Sequence, residues 1–531
     1  MGVLVAGFAA GLTALGWRAM AAGGWTLWEA LILACLAVNA PWLGLTGATA
    51  VIGLAVRMLA RDPLAAVLPA MRQPGWAAAA ITARTAVAVC VRLEDMERVL
   101  PPLARLLQEL RATPGGGDRF RLAILSDTPD GDAAAEEAAA VRRLAARFPQ
   151  GAVWYRRRAS NDGYKAGNLM DFLDRDAGED EFLLVLDADS TMSAAAVRRL
   201  VRVMQADPGL AILQPTVGGT GAETPFARLF GLGHRHGTRI WATGQAWWQG
   251  PQGAYWGHNA LIRIAPFREH ARLPALPDGS TILSHDYVEA ALLHAAGWAV
   301  RVLPEDAGSA ERHPPDLVAY LDRDRRWSAG NLQYRHLLRR RDLGRIGRLQ
   351  MLQAILHYAL TPFWFALLPL AAVNAATGGG AATPAADLAL LLLAGFLLLH
   401  LAKFCGYAEA LLRPGPLPRP RLRELASEIG FSVAVDAILA AEKAAMTVAP
   451  GLAGWSPQQR AGRRLRWGQS ALRLRFSLAT GIVCGALFAL AGPLALLLAS
   501  PVLLGLLMAV PAVVLSASPA CPAARKRAVA L

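Results

Sequence analysis

Two carboxylates close an apolar segment near the middle of the chain. Asp187 and Asp189 follow the run 183–186, and alternation along a strand would place both side chains on one face. Hard oxygen ligands of this kind suit Mg²⁺ or Mn²⁺, and such an ion can bridge the phosphates of a diphosphate. A solvated surface turn can carry the same residues, so the pair alone leaves both interpretations open.

A lysine stands upstream of these carboxylates in a chain that otherwise uses arginine. Lysine occurs only at positions 165, 403, 443 and 526, against 54 Lys and Arg residues in total. Lys165 begins the string 165–168, in which Gly167 permits a close approach of the backbone. We expect Lys165 to pair with phosphate, the alternative being an ordinary surface lysine.

A third candidate precedes a helical pattern at 287–293. Asp286, within Ser284-His285-Asp286, is a candidate general base that deprotonates an acceptor hydroxyl. The simpler alternative is that Asp286 only caps the helix. His285 remains open as the base or as a metal ligand.

The segment 323–327 is short, highly charged and ends in tryptophan. An arginine such as Arg326 can hold a diphosphate through two hydrogen bonds, and Trp327 offers a face on which a sugar ring can stack. A basic helix face at a membrane surface is the alternative.

These residues need a scaffold, and the surrounding sequence predicts one. Short β-rich runs at 85–91, 121–127, 152–157 and 182–190 are separated by helical patterns such as 99–111 and 136–148. Strands that alternate with helices indicate a parallel α/β sheet. The candidate residues would then lie at the carboxyl ends of its strands.

Apolar blocks flank this predicted domain on both sides. A membrane span needs about 20 apolar residues, and five segments are long enough, namely 26–56, 349–373, 387–412, 476–494 and 495–516. Residues 2–17 form a weaker first span, which we favour over the alternative of a signal peptide because no basic segment precedes it. Arg-rich stretches at 413–423 and 455–475 should both face the cytoplasm, so 428–450 should lie in the interface rather than cross. We predict N-terminal spans in 1–57, a cytoplasmic domain in 58–348 and a C-terminal membrane region in 349–531.

The composition agrees with a membrane protein that carries a water-soluble domain. Among 531 residues, 54% are hydrophobic while 18% are charged, and the net charge is +14. Because the arginines cluster beside apolar segments, anionic lipids explain the charge and we expect no nucleic-acid partner. Five cysteines without a CxxC pair predict neither a disulfide framework nor a zinc site.

Taken in order, the four candidate motifs resemble those of the processive synthases in glycosyltransferase family 2, inverting enzymes with a GT-A fold. Further strings narrow the resemblance to the membrane glucosyltransferases of osmoregulated periplasmic glucan synthesis. They are 255–263, 284–292, 308–312, 314–317, 330–331, 455–460 and 467–468, and the resemblance covers about 85–516.

This resemblance implies specific roles. Glu94 and Asp127 would contact the uridine side of UDP-glucose, while Lys165, Asp187 and Asp189 would hold the diphosphate and Mg²⁺ or Mn²⁺. Asp286 would be the catalytic base; Arg326 would contact the diphosphate, and Trp327 would stack on the acceptor glucan.

The resemblance also implies an activity and a location. The product would be a β-1,2-linked glucan backbone that the C-terminal spans guide across the bacterial inner membrane. Membrane lipids and acyl carrier protein are the further partners implied. The chain departs from the family pattern at Leu93, where an asparagine is usual, and at Cys90, where a proline is usual, which bears on the Glu94 assignment.

Three alternatives stay open at this point. The first is another processive synthase, making a cellulose-like or aminosugar polymer. The second is a non-enzymatic glycan channel or regulator with a degenerate transferase domain. The third is a lipid-phosphate glycosyltransferase, a class that usually lacks the motif found at 323–327.

Overall fold

A computed structural model describes residues 1–113, 116–413, 420–449 and 462–518. The matched string 455–460 lies outside the described residues.

The chain begins with two long apolar helices, α1 (Gly2–Ala21) and α2 (Leu27–Leu59). A capping box starts α2, because the Thr26 hydroxyl accepts from the Glu29 backbone while the Glu29 carboxylate accepts from the Thr26 backbone. The two helices pack around shared leucine and isoleucine side chains, among them Leu12, Ile32 and Leu36.

The middle of the chain alternates strands with helices. The strands are β1 (Thr85–Val91), β2 (Phe120–Ser126), β3 (Val153–Arg157), β4 (Phe182–Leu186), β5 (Thr191–Met192), β6 (Leu210–Pro215), β7 (Gly218–Thr220), β8 (Ala260–Arg263), β9 (Ala299–Leu303) and β10 (Ser309–Arg312). The helices are α3 (Pro63–Val67), α4 (Met96–Arg111), α5 (Asp132–Ala145), α6 (Tyr164–Arg175), α7 (Ala194–Ala206), α8 (Pro225–Gln249), α9 (Ile264–His270), α10 (Asp286–Ala295) and α11 (Leu317–Gln333).

Seven strands form one central sheet in the order β3-β2-β1-β4-β8-β6-β9, and β5-β10-β7 form a small second sheet. The four strands predicted from the sequence are parallel to one another, as expected, but β8 runs antiparallel to both β4 and β6, so the sheet is mixed. The reason lies in the loop before β8, which passes the carboxyl edge of the sheet beside Lys165. From that edge β8 can only run back against its neighbours.

Apolar side chains pack on both faces of the central sheet. Alternate residues of β1 and β4 point to opposite faces, one covered by α4 and α7 and the other by α6 and α9. β1, β2 and β4 are parallel in register, so Val91, Ser126 and Leu186 end at one edge. The predicted site residues Glu94, Asp127 and Asp187 follow at that edge.

The remaining elements of the described chain are helices and short turns between them. The helices are α12 (Gly344–Ala359), α13 (Thr361–Ala376), α14 (Ala385–Leu399), α15 (Leu401–Leu412), α16 (Leu422–Val448), α17 (Trp467–Arg473), α18 (Arg475–Ala491), α19 (Pro493–Leu507) and α20 (Ala509–Ala517).

Several of these helices have the length and composition of membrane spans. Three stretches qualify among the described residues, namely α1, α2 and the stretch Arg341–Ala376. Three bent pairs raise the number to six if each pair is one span: α14 with α15, α17 with α18, and α19 with α20, bent by 68°, 73° and 49°. The six apolar segments predicted from the sequence therefore correspond to helices or bent helix pairs.

The ambiguous segment 428–450 belongs largely to the 27-residue helix α16. Its ionisable residues face protein partners: Glu428 is 1% exposed and Glu442 is 4% exposed. Lys443 pairs with Asp324 at 3.2 Å. Helix α16 thus has a buried polar side in contact with α8, α11 and α18.

Candidate active site

Gly257 lies where three of the candidate residues meet. Lys165 Nζ donates to the Gly257 carbonyl at 2.7 Å and also forms an ion pair with Asp187. On the other side, the position a Gly257 Cβ would take is 3.6 Å from Asp286 Cβ. The structure therefore brings Lys165, Asp187 and Asp286 together around one backbone segment.

Lys165 is held at the start of α6 by a tightly bonded loop. The Arg158 guanidinium donates to Asp127 Oδ1 at 2.8 Å and to the carbonyls of Asp162 and Tyr164 at 3.0 and 3.1 Å. Gly167 allows the first turn of α6 to approach this loop, because a methyl group there would collide with the Asp162 carbonyl. The close backbone approach expected at Gly167 is therefore between Gly167 and the carbonyl of Asp162.

Asp187 and Asp189 lie in a turn after β4, so the expectation that strand alternation aligns them is wrong. The strand ends at Leu186, and the Ser190 backbone N–H donates to the Asp187 carbonyl at 3.0 Å. The Ser190 hydroxyl also accepts from the Asp187 backbone N–H at 3.2 Å. The turn forms because these local bonds replace the next ladder bonds of the strand.

The donor set at this turn fits a hard divalent cation. Both carboxylates are partly exposed, and the Asp187 side chain is 37% exposed. No group of three or more His, Cys, Asp and Glu residues placed to hold a metal occurs within the described ranges. A cation here would complete its shell with substrate phosphates and water, as Mg²⁺ commonly does.

Asp286 is the first residue of α10, preceded by His285 at the N-cap position, which makes no side-chain capping bond. Asp286 is therefore not the N-cap residue of α10, and the simpler alternative of a capping role does not apply to it. Burial raises the pKa of Asp286 above the usual value, with Glu289 adding to the effect and His285 opposing it. An elevated pKa makes the carboxylate a stronger proton acceptor than an exposed one.

His285 has a carboxylate partner of its own. Its Nδ1 lies 2.8 Å from Glu289 Oε2, one helical turn along α10. Burial opposes the charged imidazolium, but Glu289 more than offsets it, so the pKa of His285 is raised. The ring is thereby fixed beside Asp286.

The predicted uridine-side residues follow the ends of β1 and β2. Asp127 follows β2 and is 9% exposed, with its carboxylate bound to Arg158. Glu94 is partly exposed in the loop after β1, and the Leu93 backbone N–H bonds the Thr128 hydroxyl at 3.0 Å. These residues form the part of the edge nearest β2, away from Asp286.

The segment 323–327 lies within α11. Trp327 is half-exposed, with the Arg323 guanidinium 4.6 Å from its ring centroid. Arg323 and Asp324 are 8% and 2% exposed, so this is not a solvated basic face. The chain contacts the base motif where α11 ends, since the Tyr334 hydroxyl, just after α11, donates to the Ser284 carbonyl at 2.8 Å.

Backbone strain marks the same region. Three non-glycine residues in the described part of the chain have left-handed backbone angles: Leu93, Tyr164 and Asn259, with φ of 55°, 52° and 48°. Each lies within two residues of Glu94, Lys165 or Gly257. Such strain concentrates at functional sites, where the surroundings enforce it.

Sequence reasoning did not single out some residues that build the site. Glu289 could have been found from its i,i+4 spacing to His285 in a helical pattern. Gly257 and Asn259 lay in a matched string without an assigned role. No local signal marked Arg158, whose importance depends on contacts made across the fold.

Two family models match the region that carries the site. Glycosyl transferase family 2 matches residues 87–271. Glycosyl transferase family group 2 matches residues 182–402, which extends from the turn after β4 into the apolar helices.

Several bacterial relatives are similar over most of the chain. Proteins named glucans biosynthesis glucosyltransferase H from Xanthomonas euvesicatoria pv. vesicatoria and Caulobacter vibrioides are each 32% identical, over 92% and 94% of this chain. These matches cover 79% and 80% of the relatives' lengths. A protein of the same name from Bradyrhizobium diazoefficiens is 36% identical over 65% of this chain and 46% of its own length. Among solved structures, a mannosyltransferase from Pyrobaculum calidifontis in complex with GDP-Man and Mn²⁺ is similar, with 17% sequence identity and a TM-score of 0.42. The match covers 70% of this chain and 100% of that structure.

Proposed function

The chain belongs to the glucans biosynthesis glucosyltransferase H family, within glycosyltransferase family 2, and we propose that it transfers glucose from UDP-glucose, with inversion, to a growing β-glucan. The single observation that carries the proposal is the convergence of Lys165, Asp187 and Asp286 on Gly257. A phosphate-pairing lysine, a metal-ligating carboxylate and a partly buried base are the parts that this reaction needs.

The donor would lie along the carboxyl edge of the central sheet. Glu94 and Asp127 would hold its uridine side, with Arg158 fixing the Asp127 carboxylate. Lys165 and Arg326 would pair with the diphosphate. Asp187 and Asp189 would ligate Mg²⁺ or Mn²⁺, which when bound offsets the negative charge of the leaving UDP.

The transfer itself is a single displacement. Asp286 accepts the proton of the acceptor hydroxyl as that oxygen forms a bond to C1 of glucose and the bond from C1 to the UDP oxygen breaks. Lys165 stabilises the negative charge that develops on UDP. Because UDP-glucose is α-linked, inversion gives a β-linked product.

The acceptor would be positioned by α11. Trp327 offers a large apolar face, partly exposed, on which the terminal sugar of the glucan can stack. Since Gly330 of α11 packs on Ser284, the acceptor platform and the base motif belong to one packed unit.

The apolar helices would place the enzyme in the bacterial inner membrane. Six crossings, with 58–348 on the cytoplasmic side, follow from the distribution of arginine. Residues 1–57 and 349–531 would form the membrane regions, with 428–450 in the interface beside membrane lipids. These helices would guide the glucan outwards, its backbone being β-1,2-linked as the family membership supports. Acyl carrier protein is a further proposed partner, and no nucleic acid takes part.

The experiment is turnover by the purified chain in lipid vesicles. With UDP-glucose and Mg²⁺ we expect UDP release together with a β-1,2-linked glucan, identified by linkage analysis. A different linkage or an aminosugar product would indicate another processive synthase. Transfer to a lipid phosphate would identify a different transferase class, and absence of UDP release from every nucleotide sugar would contradict an enzymatic function.

A further inference from the structure

Helix α16 reaches into the segment 323–327 through one buried ion pair. Lys443 Nζ lies 3.2 Å from Asp324 Oδ2, and the two side chains are 12% and 3% exposed. Lys443 is one of only four lysines in the sequence. In a chain that uses arginine almost throughout, a lysine at this point indicates a need for a compact charge.

Aromatic groups enclose the pair. The Lys443 ammonium lies 5.8 Å from the ring centroids of both Tyr320 and Tyr358, within the range of a cation–π contact. The Tyr358 hydroxyl bonds the second Asp324 oxygen, Oδ1, at 3.2 Å. Asp324 is therefore fixed from α16 and α12 at once, with little water to weaken the attraction.

The other end of α11 is joined to the base motif. Gly330 packs directly on Ser284, because a methyl group at Gly330 would collide with the serine hydroxyl. Gln333 Oε1 accepts from the Leu283 backbone N–H at 2.9 Å. Helix α11 thus connects α16, through Asp324, with the loop that presents Asp286.

We propose that Lys443 is a positioning residue for acceptor transfer: its ion pair with Asp324 sets the placement of α11, and hence of Trp327 relative to Asp286. This inference rests on the proposed function. Trp327 is three residues from Asp324, so a shift of the helix at Asp324 moves the sugar platform with it. Displacement of about 1 Å from the productive geometry can lower a rate about 100-fold.

The test separates acceptor transfer from donor turnover. Glucose incorporated into glucan and UDP released are measured together for the full chain in lipid vesicles, so that their ratio reports transfer against hydrolysis. We expect Lys443→Met to lower this ratio about tenfold or more, with the KM for UDP-glucose changed less than about twofold. Trp327→Ala should give the same pattern, and Lys443→Arg, which keeps the charge but replaces the compact ammonium with a planar guanidinium, should lower the ratio less than Lys443→Met does.

Two further variants keep the inference falsifiable. Asp324→Asn preserves shape and the acceptor for Tyr358 while removing the charge, so it reports on the ion pair even if Lys443→Met does not fold. Lys403→Met is the matched control. Lys403 of α15 forms an ion pair with Glu428 of α16 at 2.8 Å, so this variant removes a different lysine pair of the same helix, α16. An unchanged ratio in folded Asp324→Asn, or an equal loss in Lys403→Met, would overturn the inference. A wild-type chain that releases no UDP would instead overturn the proposed function.

Discussion

The three lysines in the described part of the chain all form ion pairs. Lys165, Lys403 and Lys443 each pair with a carboxylate, respectively Asp187, Glu428 and Asp324. An ammonium is a compact point charge, whereas a guanidinium is a wide planar fork. The rarity of lysine in this sequence makes each occurrence informative.

The role of Asp286 can be separated from folding. Asp286→Asn keeps the side-chain size but removes the base, so we expect glucan synthesis to fall about 10²–10⁴-fold. UDP-glucose binding, measured by calorimetry, should persist. Since burial raises the Asp286 pKa, the ionised group destabilises the fold at neutral pH, and the variant should unfold at no lower temperature than wild type.

Asp278→Asn serves as the matched control for that variant, because Asp278 is an exposed carboxylate in the loop before α10. It should leave synthesis unchanged. Near-normal synthesis by Asp286→Asn would assign the base to another group, with His285 the nearest candidate.

The elevated pKa of Asp286 also predicts the pH dependence. The base acts as a carboxylate, so kcat/KM should fall as the pH drops through its pKa. Because burial and Glu289 raise that pKa, with His285 and Lys165 opposing, the acid limb should lie above the ordinary aspartate value of about 3.9. The measurement is kcat/KM against pH, with donor binding followed at each pH; a limb at or below 3.9 would contradict the assignment.

The two carboxylates of the turn after β4 predict a metal requirement. EDTA should stop turnover, and excess Mg²⁺ or Mn²⁺ should restore it, since the ion compensates the charge on the leaving diphosphate. Asp189→Ala should weaken donor binding as well as turnover. Full activity in excess EDTA would remove the metal from the mechanism.

At the scale of elements, apolar patterns located most of the fold. The predicted runs at 85–91, 121–127 and 152–157 became β1, β2 and β3 within one residue. Long periodic runs succeed because the buried face of a strand or helix dictates their residue types. The same pattern placed the predicted residues Glu94 and Asp127 just after β1 and β2, since parallel strands end at one edge.

Other features depended on contacts that no local pattern records. The direction of β8 follows from where its preceding loop must pass, and the turn at Asp187 follows from a bond to Ser190. The ion pair between Lys443 and Asp324 joins residues more than a hundred positions apart. Tertiary contacts of this kind override local propensity.

The close packing of α2 against α8 can be tested by substitution of the glycines where the two helices cross. A methyl group on Gly244 of α8 would collide with the Thr49 carbonyl, and one on Gly53 of α2 with the Ile240 carbonyl. We expect Gly244→Ala to force the helices apart and to lower stability by about 1–3 kcal/mol, as overpacking does. Thermal unfolding in detergent measures this.

Gly430→Ala is the control for the crossing, because Gly430 of α16 has open space where its Cβ would be. It should be neutral or slightly stabilising, by up to about 1 kcal/mol, since alanine favours helix over glycine. Equal melting of Gly244→Ala and wild type would show that the two helices are not tightly apposed.

Over the whole molecule, the site is attached to the apolar helices along two routes. Helix α8 packs on α2 and α15, and α11 packs on α12 and α16. The first route leaves the sheet after β6 and β7, while the second contacts the base motif directly. Product made at Asp286 would therefore emerge beside the helices proposed to guide it outwards.

The distribution of arginine predicts how those helices are threaded. Residues 374–386 contain no Lys or Arg, whereas 455–475 contain six Arg and no acid. Positively charged loops remain on the cytoplasmic side, so the turn between α13 and α14 should be periplasmic and α17 should be cytoplasmic.

Ala381→Cys and Gly468→Cys, both at exposed positions, are treated in intact cells with a thiol reagent that cannot cross the inner membrane, with wild type as the blank. We expect labelling at 381 alone, and at 468 only after the cells are opened. Labelling at 468 in intact cells would mean that α16 crosses the bilayer, and its pairs with α8 and α11 would then have to lie within the membrane rather than at its surface.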